Sequence, residues 1–123
     1  MHEMSLVTYV LNAVENKASG MGIEKVGEIG LVIGRLAAVP ELMERCFQIA
    51  RYQRPMFQEA TLHIEMRDIR LRCRECGTEY SSQDDFGYAT CPECGSGASD
   101  LLGGKELLLD YFVPAKEQNT GNV

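Results

Sequence analysis

The sequence predicts an α+β fold, two helices on a small three-stranded sheet, with a cysteine-rich segment inserted before the last strand. Three observations carry this prediction. Residues 5–17 and 40–52 repeat apolar side chains at helical spacing, whereas residues 23–33, 61–67 and 105–113 alternate or run apolar as strands do. Two matching stretches, Cys73-Arg-Glu-Cys76-Gly77 and Cys91-Pro-Glu-Cys94-Gly95, lie between the last two strands, with fourteen residues between Cys76 and Cys91. The order is helix, strand, helix, strand, cysteine pairs, strand.

In chain order, Ser5 suits the N-cap of the first helix, and Leu6, Val7, Val10, Leu11 and Val14 line one face of it to about Lys17. Ser19-Gly20-Met21-Gly22 then turns the chain. From Ile23 to Ile33 the period becomes two, with Ile23, Ile29, Leu31 and Ile33 on one face and Glu24, Glu28, Gly30 and Val32 on the other; Gly27 and Gly30 suit a close backbone approach. Pro40 fits the first turn of the second helix and Glu41 and Glu44 its positive end. Its stripe of Leu42, Met43, Cys46, Phe47, Ile49 and Ala50 ends near Tyr52, and Cys46 reads as a small buried hydrophobe. Residues 54–59 form a loop. Beyond it Leu62, Ile64 and Met66 point one way while Thr61, His63, Glu65 and Arg67 point the other, the pattern of a sheet with one wet face. Ile69 and Leu71 carry the alternation into Cys73 with little linker. The run Leu107 to Val113 is so apolar that cover on both faces is expected, and pairing with the first sheet is its economical place.

Two residues between paired cysteines let the chain turn tightly enough for both sulfurs to reach one ion, and the following Gly supplies the positive φ that closes the turn. Four such thiolates, Cys73, Cys76, Cys91 and Cys94, suit a closed tetrahedral Zn(II) site that holds structure and leaves no position open to substrate. Iron is the rival ion. A rubredoxin-like electron carrier uses similar knuckles around a longer aromatic core, whereas here the intervening loop offers Tyr80, Phe86 and Tyr88. This zinc-ribbon-like segment cannot support its own core without the ion. Its knuckles contain one cation, Arg74, against six acids from Cys73 to Gly104, in a chain of 123 residues with net charge −6. Phosphate binding requires the opposite footprint, so nucleic acid is a poor partner. A zinc-ribbon scaffold for protein interaction, with no labile metal, is a further alternative.

A second metal-shaped constellation stands at the start, Met1-His2-Glu3. The Met1 amine, the His2 amide and the His2 ring Nδ1 close a five- and a six-membered chelate, an arrangement that suits Ni(II) or Cu(II), which drive amide deprotonation and favour square-planar ligands. The fourth position falls to the Glu3 amide, its carboxylate, or a donor from a partner. Protonation of the amine and imidazole opposes such binding, so affinity should fall with pH. A helix starting four residues on anchors this end.

Composition is that of a globular chain, 45% apolar and 24% charged, without an apolar run long enough for a membrane span or a leader. Cysteines committed to metal suit a reducing compartment, so a cytoplasmic location is expected. No constellation for catalysis stands out, which points to a binding protein and not an enzyme.

With its Met1-His2-Glu3 start, its Ile29 to Gly34 strand reading Ile-Gly-Leu-Val-Ile-Gly, its Leu62 to Glu65 strand and the four cysteines in this order, the sequence resembles the hydrogenase maturation nickel chaperone family HypA/HybF over essentially its whole length. The resemblance implies a nickel metallochaperone for the nickel-iron centre of hydrogenase, working with the GTPase HypB and docking on the hydrogenase large-subunit precursor. It implies nickel at Met1, His2 and Glu3, and structural zinc at the cysteines. Residues 1–72 with 105–114 would then be the nickel-binding α+β domain, 73–104 the zinc-binding domain and 115–123 a disordered tail; a homodimer is a candidate assembly. Some relatives carry histidines in or beside the zinc segment; this one has none, so nickel binding is expected to be weak and to depend on the N-terminus alone.

Overall fold

The computed structural model describes residues 2–83 and 89–116. Met1, the 84–88 portion of the cysteine loop and the 117–123 portion of the tail lie outside the described residues. The elements are α1 (His2–Gly20), β1 (Val26–Gly34), α2 (Pro40–Ala50), β2 (Thr61–Arg67), β3 (Ile69–Cys73), β4 (Glu79–Ser82), β5 (Ser99–Gly103) and β6 (Leu107–Pro114). Short 3-10 turns at Arg51–Gln53 and Pro55–Phe57 lie between α2 and β2.

β1 is the centre of the first sheet, ordered β2-β1-β6. It pairs in parallel with β2, setting Ile29 beside Leu62 and Leu31 beside Ile64, and α2 lies in the crossover that parallel neighbours require. It pairs antiparallel with β6, setting Ile29 beside Phe112 and Ile33 beside Leu107. One core joins Val7, Val10, Leu11, Val14 and Ala18 of α1, Met43, Cys46 and Phe47 of α2, and Val26, Ile29, Leu31 and Ile33 of β1. Cys46 is the buried hydrophobe expected of it. The two-glycine reading also fits, since a Cβ at Gly27 would lie 2.9 Å from the Ala115 Cα and one at Gly30 would enter the Tyr111 ring.

Several expectations are corrected. α1 starts at His2, so Ser5 is an interior helical residue and no cap. Tertiary contacts of His2 and Glu3 hold the first turn, and helical periodicity alone does not report them. β1 begins at Val26, leaving Ile23 and Glu24 outside, and Val32 is buried along with the helix-facing residues because the strand is flanked on both sides. β6 is not covered on both faces: Leu107 and Phe112 pack on the core, but Leu108 is 50% exposed and Val113 43%. The helices cover one side of the sheet only, β6 is its edge, and a register shift at Gly30/Leu31 leaves Asp110 without a cross-strand partner. Ala115, the first residue of the expected disordered tail, donates its N–H to Lys25 O at 2.9 Å.

β3 does not extend the first sheet. It is the centre of a second, ordered β4-β3-β5 and antiparallel throughout, with Asp68 alone separating it from β2. Ile69, Leu71, Cys73, Tyr80 and Cys91 form a small second cluster, against which Leu36 and Ala89 pack. The segment after β1 straps the two sheets together. Gly34 N–H donates to Glu106 O at 2.8 Å, Arg35 N–H to Arg67 O at 3.0 Å and Leu36 N–H to Gly104 O at 2.8 Å, while the Arg35 guanidinium meets Asp68 at 3.0 Å.

Candidate metal centres

The two knuckles are near copies of each other. Each is entered by the first cysteine's N–H, Cys73 donating to Thr78 O and Cys91 to Ser96 O, both at 2.9 Å. Each is closed by the glycine N–H donating back to the first cysteine's carbonyl, Gly77 to Cys73 O at 3.0 Å and Gly95 to Cys91 O at 2.9 Å. The glycines sit at φ 79° and 77°, where a side chain is strained. The middle N–H of each turn points at the first sulfur, Glu75 N to Cys73 Sγ at 3.3 Å and Glu93 N to Cys91 Sγ at 3.4 Å. Such donors stabilise a thiolate, so the turns are built for anionic sulfur.

All four sulfurs lie within 4.8 Å of one another. Across the knuckles, Cys73 Sγ is 3.5 Å from Cys94 Sγ and Cys76 Sγ 3.6 Å from Cys91 Sγ. A disulfide needs about 2.05 Å, whereas arms of about 2.3 Å from a tetrahedral zinc place sulfurs roughly 3.8 Å apart. The donor set and its spacing fit zinc. Cys73 and Cys91 are buried, Cys76 and Cys94 exposed. Hydrogen bonds from the Thr78 side chain and backbone, then from Cys91, bring the Cys76 thiol down to about 6. For Cys94 the Ser96 backbone N–H acts downward, but the thiols of Cys73, Cys76 and Cys91 and desolvation outweigh it and push the group up to about 12. Four crowded sulfurs cannot all hold negative charge without a cation among them, and the opposed shifts express that. Thr78, 3.2 Å from Cys76 Sγ through its hydroxyl, is a supporting residue that the spacing did not single out, although its place directly after the knuckle glycine is a visible cue.

At the start of the chain His2 and Glu3 occupy the first turn of α1, where backbone N–H groups lack intrahelical acceptors. His2 is exposed, and its Nε2 lies 2.9 Å from Ala37 O. A carbonyl oxygen only accepts, so the neutral ring carries its proton on Nε2 and keeps the Nδ1 lone pair free. Glu3 is buried, 8% exposed, and its Oε2 accepts the Val39 N–H at 3.1 Å. That carboxylate closes the start of α2, where Val39 stands at the N-cap position with no side-chain cap of its own. Sequence reasoning did not identify Ala37 and Val39, because both act through the backbone. His63 is exposed on β2, as its alternation indicates.

Among the described residues no helix is long and apolar enough to cross a membrane. Residues 1–113 match the family described as "Hydrogenase/urease nickel incorporation, metallochaperone, hypA". The chain is 40% identical over 113 residues to a hydrogenase maturation factor HypA of Moorella thermoacetica, covering 91% of this chain and 97% of that one. It is 39% identical over 118 residues to a protein of the same name from Chlorobium luteolum, covering 95% and 98%. A solution structure titled HypA protein matches with a TM-score of 0.65 at 25% identity over 95% of this chain and 98% of that one. The solution structure of the Ni metallochaperone HypA from Helicobacter pylori, at 24% identity, a TM-score of 0.62 and coverage of 95% and 100%, shares the fold. With the family match spanning both helices, both sheets and all four cysteines, the chain belongs to the HypA family of hydrogenase/urease nickel-incorporation metallochaperones.

Proposed function

We propose that the protein is a carrier of Ni(II), and no enzyme, that delivers the ion during maturation of [NiFe]-hydrogenase in the cytoplasm. Nickel is held by the Met1 amine and the His2 amide and Nδ1, and the fourth position, opposite the His2 amide, falls to the Glu3 carboxylate or to a donor from a partner. The observation that supports this most is the His2 contact: with Nε2 donating to Ala37 O, the nitrogen left unprotonated is the one that forms a six-membered chelate with the residue's own amide. The Glu3 carboxylate accepts the Val39 N–H, and its backbone nitrogen, one peptide unit from the His2 amide, cannot lie opposite that amide in a square plane, which favours a partner's donor at the fourth position. First-turn amides can be deprotonated without breaking helical hydrogen bonds, and the positive end of the helix favours the resulting anions. Structural Zn(II) sits in Cys73, Cys76, Cys91 and Cys94. A site of few protein donors at an exposed terminus can pass its metal on by ligand exchange, which a closed cage cannot.

Partners in this reading are a HypB-type GTPase and the hydrogenase large-subunit precursor, with a homodimer as a candidate state. The family description names hydrogenase and urease together, while the relatives above are called hydrogenase maturation factors, which favours the hydrogenase client. The test is a calorimetric and visible-absorption titration of zinc-loaded native protein with Ni(II), beside His2→Ala and a form with one Gly added before Met1. One nickel bound by the native chain and lost from both variants, with zinc retained, is the expected result. Equal binding by all three would move nickel elsewhere, and no binding by any of them would leave a scaffold without labile metal.

A further inference from the structure

Residues 35–39, between β1 and α2, are gripped from two sides. Toward the second sheet, the Leu36 side chain packs against the cluster of Ile69, Leu71, Cys73, Tyr80 and Cys91. Among the described residues it is the one member or neighbour of that cluster from outside residues 69–103. Its N–H donates to Gly104 O at 2.8 Å. Toward α1, the next residue's carbonyl, Ala37 O, meets His2 Nε2 at 2.9 Å, and two residues on Val39 N–H meets Glu3 Oε2 at 3.1 Å. Ala37 N–H turns back to Gly34 O at 2.9 Å, so the peptide bearing the His2 acceptor follows the placement of Leu36 closely.

We propose that Leu36 is a positioning residue for His2: anchored in the core beside the cysteine cluster, it holds the Ala37 carbonyl where the ring Nε2–H can donate, and thereby keeps Nδ1 free for nickel. The inference rests on the reading of the N-terminus as the nickel site. Leu36 has no donor atom and acts through packing alone. The hydrogen-bond partner of a metal-binding imidazole sets its tautomer and orientation, and loss of such a partner ordinarily weakens metal affinity by roughly 10- to 100-fold. The cysteine cluster and the imidazole are therefore linked by one apolar side chain, and a change in packing around the cysteines reaches His2 through it.

The test compares native protein with Leu36→Ala and Leu36→Met, each loaded with one zinc, in two measurements. The first, without nickel, is the separation of the two His2 ring 15N resonances, which is widest when one tautomer is held. The second is nickel affinity, with the Gly-extended chain as reference for loss of the amino-terminal site. Expected is a narrowed separation and about tenfold weaker nickel binding in Leu36→Ala at unchanged zinc content, with both values restored toward native in Leu36→Met, which refills the volume. Native ring resonances and native affinity in Leu36→Ala would overturn the inference and leave the nickel reading intact. Undiminished nickel binding by the Gly-extended chain would overturn the nickel reading itself, and with it any role of Leu36 in nickel binding.

Discussion

Glu3 combines two features that its type seldom shows together: it is a carboxylate in the buried set, 8% exposed, and it sits next to an exposed imidazole on the first turn of a helix. Its Oε2 completes the N-terminal end of α2 by accepting the Val39 N–H at 3.1 Å, a charged acceptor at the positive end of a helix. The side chain is thus a structural clamp, and the proposed nickel site beside it draws on Met1 and His2. The two roles separate by mutation. Glu3→Ala leaves the Val39 N–H without its acceptor and should cost about 1–3 kcal/mol in urea unfolding. Glu3→Gln keeps an amide oxygen in reach and should cost less than half as much. Both should still bind one nickel in the calorimeter, since the Met1 and His2 donors are untouched. Loss of nickel binding in Glu3→Gln at near-native stability would instead make the carboxylate the ligand.

Among the elements, β6 owes its place to one row of side chains. Leu107 and Phe112 reach the core, while on the strand's outward residues the Tyr111 hydroxyl donates to the Glu28 carboxylate of β1. That hydrogen bond, then desolvation and the charges of Glu28 and Asp110, raise the Tyr111 pKa. A group raised on folding stabilises the fold fully below its unfolded value, about 10 for a phenol, and loses that contribution as pH climbs through the raised value. Native protein should therefore be more stable than Tyr111→Phe at neutral pH, with the gap closing above pH ~10 in urea unfolding followed against pH; a gap constant with pH would show that the phenol contributes by packing alone. The elements also divide by how far their sequence announces them. α2 and β2 are legible because one face of each is buried and the other wet, so the periods of 3.6 and 2 appear in Met43, Cys46 and Phe47 and in Leu62, Ile64 and Met66. β6 misleads because apolar residues at a sheet edge remain partly open to solvent. The change of sheet at β3 is written in a phase slip, since apolar positions two apart end at Met66 and resume at Ile69, three residues later, across Asp68. The start of α1 and the partners of His2 and Glu3 are contacts between residues 35 or 36 apart through backbone atoms of Ala37 and Val39, for which side-chain pattern carries no signal.

At the scale of the whole molecule the two sheets are unequally supported. The first has two helices over a core that includes Leu11, Val14, Ile29, Ile33, Met43, Phe47 and Phe57, all at or below 1% exposure. The second has Ile69, Leu71, Cys73, Tyr80 and Cys91, of which two belong to the four-cysteine cluster. A cluster of this size does not balance the entropy of ordering three strands, and the zinc proposed for the four cysteines would close the difference, as metal binding worth roughly 10–16 kcal/mol does in zinc-finger peptides. Removing zinc should therefore unfold one part of the chain ahead of the other. With a strong chelator, hydrogen exchange followed by mass spectrometry should show β3, β4 and β5 losing protection while α1, β1 and α2 keep theirs, and readdition of zinc should restore it. The junction decides how sharp that boundary is. Arg35 with Asp68, and the backbone bonds from Gly34 to Glu106 and Leu36 to Gly104, tie the sheets by groups that are short-range and partly exposed, so they transmit position more than stability. Residues 35–37 should accordingly show intermediate protection after chelation, looser than β1 and tighter than β3. Simultaneous loss of protection in both sheets would mean that the junction joins them into a single cooperative unit, with zinc holding the α1–β1–α2 core as well as its own.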